Sequence, residues 1–64
     1  MDGYTKLLKR LLLEAGCYVV RQGRGDHETW FSPIVNKPFT VDGKILSRHM
    51  ANTILKQAGL TKRV

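Results

Sequence analysis

Between positions 21 and 28 the chain reads Arg21-Gln22-Gly23-Arg24-Gly25-Asp26-His27-Glu28. Glycines at 23 and 25 permit a tight turn and a close approach of ligand to backbone, with Gly25 at its centre. Arg21 and Arg24 flank the turn and can hold a phosphate. His27 follows at once, and a histidine, with an ordinary pKa of about 6.5, exchanges a proton near neutral pH. A phosphate site beside a proton-transfer group suits cleavage of RNA by its own 2′-hydroxyl. That reaction needs a base for the hydroxyl proton, an acid for the leaving oxygen and cations for the phosphate charge. Further along, Arg48 and His49 open a predicted helix, whose N-terminal end favours anions. The alternative for His49 is a solvated helix face. Lys37 and Lys44 complete the expected phosphate contacts, and Trp30 either stacks on a base or fills the core.

The bulk of the chain bounds what surrounds these residues. Sixty-four residues make one domain, 1–64, too short to bury much surface. Cys17 is the only cysteine, so no disulfide forms within the chain, which fits a reducing compartment. It follows Gly16 among apolar neighbours and reads as a small buried hydrophobe. No histidines or acids stand at metal-ligand spacing, so neither metal nor cofactor is expected. Eleven Lys and Arg against five Asp and Glu give a formal charge of +6, which points to a polyanionic partner. Nucleic acid leads, ahead of an anionic membrane surface or an acidic protein. No apolar run is long enough to cross a bilayer, and the opening residues lack the layout of a signal peptide, so a cytoplasmic location is expected.

Elements that would carry the site follow from periodicity. Tyr4, Leu7, Leu8, Leu11, Leu12 and Ala15 recur at helical spacing, with Lys6, Lys9, Arg10 and Leu13 alongside. Asp2 or Thr5 is the expected cap, and Gly16 the stop, with Leu12 closing on Cys17. Positions 17–22 read as a strand, 23–26 as a turn and 27–32 as a second strand. On the second strand Glu28 and Trp30 share one face, and His27, Thr29 and Phe31 the other; the residues leave open which is buried. Pro33 and Pro38 bound a loop, after which Phe39-Thr40-Val41 forms a short third strand. Ser47 caps a second helix through Gln57, with Ala51, Ile54, Leu55 and Ala58 as its apolar stripe and Gly59 as its stop. The order α-β-β-β-α predicts an α+β fold: a three-stranded antiparallel sheet with two helices on one face. Double-stranded-RNA-binding domains share this order.

Glu14-Ala15-Gly16, Val19-Val20-Arg21-Gln22-Gly23-Arg24-Gly25, His27-Glu28-Thr29-Trp30 and the run from Ser47 to Leu60 together resemble the HicA family of small bacterial toxins. The resemblance implies a double-stranded-RNA-binding-like fold and a metal-independent ribonuclease that cuts messenger RNA and slows translation. It also implies a cognate HicB-type antitoxin that covers the site, the toxin being a monomer alone and part of a hetero-oligomer with that partner. The family's catalytic histidine falls on His27. Asp26 stands where the family usually has Ser or Thr, and Asp42 follows the third strand where Pro is frequent. Three functions therefore compete: an RNA endonuclease toxin, an RNA-binding module without catalysis, and a unit that only binds the antitoxin.

Overall fold

The computed structural model describes residues 3–23 and 25–64. Its elements run α1 (Thr5–Glu14), β1 (Tyr18–Gln22), β2 (Glu28–Ser32), β3 (Lys37–Val41) and α2 (Arg48–Gln57). The strands form one antiparallel sheet in the order β1-β2-β3. Leu8 and Leu12 of α1 and Ala51, Ile54 and Leu55 of α2 pack with Trp30, Phe39 and Val41 from a single sheet face. Both helices thus cover that face, and the α+β architecture expected from the sequence is the one observed.

The same local chemistry ends both helices. After α1, the Gly16 and Cys17 amides donate to the Leu13 and Leu12 carbonyls; after α2, the Gly59 and Leu60 amides donate to those of Lys56 and Leu55. Each pair is a Schellman stop, which satisfies carbonyls that a helix end otherwise leaves orphaned. Cys17 is a buried free thiol, as its apolar neighbours suggest. At the start of α2, Ser47 accepts from the Met50 amide at 3.1 Å, the expected cap. The start of α1 differs from expectation. Thr5 lies within the helix, and its hydroxyl accepts from the Ile45 amide at 2.9 Å instead of capping. The Tyr4 amide donates to the Ile45 carbonyl at 2.8 Å, so the loop after β3 satisfies the helix entrance. Asp2 lies outside the described residues.

Strand 3 begins at Lys37, two residues earlier than expected, with Pro38 paired to Phe31. A proline is tolerated here because β3 is an edge strand and its missing amide would face away from β2. The connection from β2 shrinks to Pro33–Asn36, with Asn36 in the left-handed region at φ 56°. Register then places Trp30 opposite Phe39 and Glu28 opposite Val41, which buries the Glu28–Trp30 face. Trp30 is 2% exposed and belongs to the core, so base stacking is not open to it. Ser32, fully buried, donates its hydroxyl proton to the Ala58 carbonyl and accepts from the Ile34 amide, tying the hairpin to the end of α2.

Glu28 occupies the edge of this core and gathers three donors: Trp30 Nε1 and Gln22 Nε2 at 3.0 Å each and Lys9 Nζ at 3.3 Å. The Trp30 hydrogen bond, with smaller help from Lys9, holds its carboxyl below the ordinary 4.5 although partial burial pushes the other way. A carboxylate with a lowered folded pKa contributes stability that is present above the unfolded value and lost as pH falls through the folded one. Urea midpoints should therefore drop more between pH 5 and pH 3 for the parent than for Glu28→Gln. Equal drops in the two proteins would show that Glu28 carries none of the acid sensitivity.

Candidate active site

One step beyond the Glu28–Val41 pair, the β2–β3 register sets position 27 opposite position 42. His27 Nδ1 indeed lies 2.9 Å from Asp42 Oδ1. At this distance Nδ1 is within hydrogen-bond reach of the carboxylate, and Nε2 is the ring nitrogen that Asp42 does not engage. Both side chains are open to solvent, at 61% and 43% exposure, so an incoming substrate can reach the pair.

The loop that carries Asp42 is held from two sides. On one, Ile45 is fully buried and hydrogen-bonded to the entrance of α1 through Tyr4 and Thr5. On the other, Gly43 lies against the β1–β2 turn so closely that an added Cβ would sit 2.1 Å from Asp26 Cβ and 2.8 Å from the Asp26 carbonyl oxygen. Only a residue without a side chain permits that approach. Asp26 thus serves as a packing surface for Gly43, and Asp42 supplies the carboxylate on His27. Among the described residues Asp26 forms no ion pair.

The other expected residues divide by position. Gly25 is exposed in the left-handed region at φ 62°, with open space where a side chain would stand, so its backbone is accessible to a ligand. A bulge between Val19 and Arg21 makes Val20 the extra residue of β1. Without it Arg21 would pair with Glu28 on the helix-covered face; with it Arg21 pairs with Thr29 and reaches the open one. Tyr18 and Phe31 share that open face, their ring centroids 5.7 Å apart. His49, exposed on the first turn of α2, lines a depression of about 430 Å³ together with Asp42, Thr40 and Thr53. Arg48 is exposed beside it, and exposed Lys44 follows two positions after Asp42. Lys37 begins β3 and is five residues from Asp42, roughly 16 Å along an extended strand, so it stands at the far end of the sheet. Arg24 lies outside the described residues.

Asp42 is the candidate site residue that sequence reasoning missed. Its signal was the hairpin: strands closed at Ser32 and Lys37 pair positions that sum to a constant, which brings 27 to 42. Starting the third strand after Pro38 hid that register. Among the described residues no group of three or more His, Cys, Asp or Glu forms a metal-ligand cluster. No helix among them is long and apolar enough to cross a membrane.

Fold and site together define a small basic α+β protein with a solvent-facing histidine–carboxylate pair at one end of its sheet. Residues 6–60 match the family of the HicA toxin of bacterial toxin–antitoxin systems, and the chain belongs to that family. It is thus a toxin of a toxin–antitoxin pair. No curated protein and no solved structure matches it.

The His27–Asp42 contact is directly testable. In long-range ¹H–¹⁵N spectra above its titration, neutral His27 should carry its proton on Nδ1 in the parent and shift toward the common Nε2-protonated form in Asp42→Ala. Gly43→Ala should produce the same shift by forcing the loop off Asp26. A parent His27 already protonated on Nε2 would refute the pair.

Proposed function

We propose that this chain is an endoribonuclease that cuts messenger RNA without a metal ion, with His27 as its proton-transfer residue. The observation that carries the reading is the His27–Asp42 pair, exposed at the mouth of a cation-flanked turn. Nε2 of His27 takes the proton from a ribose 2′-hydroxyl while Asp42 holds the ring and stabilises the imidazolium that forms. The 2′-oxygen attacks the adjacent phosphorus, the bond to the 5′-oxygen breaks, and that oxygen leaves with a proton taken from the solvent to which the site is open. The products are a 2′,3′-cyclic phosphate and a 5′-hydroxyl. Arg21, Arg48 and the exposed backbone at Gly25 face the phosphate charge that builds during the step, with Arg24, Lys44 and His49 as further contacts.

The chemistry draws on proton transfer and charge alone, and the net charge of +6 supports a polyanionic substrate. Residues 1–64 then act as one RNA-binding and cleaving domain in the cytoplasm. An antitoxin of the HicB type would silence it by covering His27, converting a monomer into a hetero-oligomer.

Cleavage of a mixed messenger RNA in EDTA by the purified chain, beside His27→Ala, tests the assignment. The parent should cut and leave cyclic phosphate ends. The variant should lose on the order of 10²–10⁴ in rate with its circular dichroism unchanged. Equal cutting by the two proteins would remove His27 from the chemistry. No cutting by a folded parent would leave an RNA-binding module.

A further inference from the structure

Past Gly59 the chain turns back along α2, and this return builds a second feature. The Val64 amide donates to Asn52 Oδ1 at 2.8 Å, and Asn52 Nδ2 reaches the Val64 carbonyl at 3.5 Å. Leu60 and Val64 pack against the core from the same segment. The tail is therefore anchored at both ends, with Lys62 and Arg63 held between them. A groove of about 600 Å³ runs between tail and helix, lined by His49, Thr53, Lys56, Lys62 and Arg63. Among the described residues no acidic side chain lines it. Among the described residues Lys56, Lys62 and Arg63 form no ion pair, whereas Lys9 and Arg10 of α1 are engaged by Glu28 and Glu14.

The groove is continuous with the candidate active site. His49 and Thr53 line both it and the neighbouring depression that contains Asp42. His49, Thr53 and Lys56 stand at helical spacings of four and three, so they form one row on α2. From His49 to Lys56 that row spans about 10 Å at 1.5 Å per residue, long enough for more than one nucleotide of an extended strand. Three cations that form no ion pair among the described residues, in a trough with no acid among those residues and with a hydroxyl at Thr61, match a phosphodiester backbone; the Thr53 hydroxyl is already donated to the His49 carbonyl.

We propose that this groove is a second nucleic-acid subsite, binding the backbone of single-stranded RNA on one side of the scissile phosphate. The inference rests on the ribonuclease reading above and extends it. The chain grips its substrate at the glycine turn and along α2, and the His27–Asp42 pair works between the two.

The probe is a mixed-sequence 2′-O-methyl RNA dodecamer, which lacks the nucleophile and stays intact, followed by fluorescence anisotropy between about 50 and 200 mM salt. For Lys56→Gln/Lys62→Gln/Arg63→Gln, affinity at the low-salt end should fall about tenfold or more. The log–log salt slope should shrink by roughly 0.7 per lost phosphate contact, about 2 in all. Lys56→Arg/Lys62→Arg should keep the parent slope. Asn52→Ala, which changes no charge but frees the tail, should weaken binding in the same direction. Unchanged affinity and slope in the triple variant overturn the subsite, and ordinary RNA still cut by the parent would then leave the ribonuclease reading standing. A parent that binds the dodecamer through this groove yet cuts no RNA would uphold the subsite and sink the chemistry. Loss of polyglutamate binding by the triple variant, with RNA binding intact, would assign the groove to an acidic protein instead.

Discussion

The register of β2 against β3 carries more of this structure than any single contact. Side chains alternate faces along a strand, so a slip of one residue would send Trp30 and Ser32 to solvent and bring Thr29 and Phe31 inward. It would also separate His27 from Asp42. Several groups hold the register. Pro33–Asn36 closes the hairpin through a left-handed Asn36, and Ser32 ties its root to the end of α2. Trp30 is locked from its polar end by Glu28. A buried Trp removed to Ala costs about 3–5 kcal/mol, a large share of what so small a domain can hold. The core and the candidate site therefore rest on the same alignment.

Charge is arranged as unevenly as it is composed. Glu28 and Glu14 engage cations of α1, and Asp42 engages His27. Arg21, Lys44, Arg48, Lys56, Lys62 and Arg63 form no ion pair among the described residues and point to solvent. At physiological salt charges act over about 8 Å. Position along the surface then matters more than the total: Lys37, paired with Ser32 at the hairpin end of β3, lies near the end of α2 and far from Asp42.

The two carboxylates near the histidine have different tasks. Asp26, next to it in sequence, invites the role of partner. Geometry gives that role to Asp42, because antiparallel pairing brings a residue fifteen positions away within hydrogen-bond reach. Asp26 instead meets Gly43, and the contact sets how closely the loop after β3 approaches the β1–β2 turn. A carboxylate beside an anionic substrate carries an electrostatic cost, which its hydrogen bond to an imidazole offsets. The carboxylate that faces His27 is thus supplied by the loop after β3 and not by the turn before it.

Local physics made much of the fold legible beforehand. Period-3.6 stripes marked both helices, the Ala-Gly-apolar endings marked both stops, and Ser47 marked a cap, because each depends on residues within a turn of one another. His27, Arg21, Arg48 and His49 were equally visible as residue types able to do proton and phosphate chemistry. Which sheet face is buried, where β3 begins, the bulge that turns Arg21 outward and the partnership of His27 with Asp42 were not. These are set by pairing between strands and by loops pressed against distant elements. Composition and short-range spacing thus determined the elements and the chemistry on offer. Only the tertiary structure decided which groups meet, because register and close packing are properties of pairs of segments and not of either segment alone.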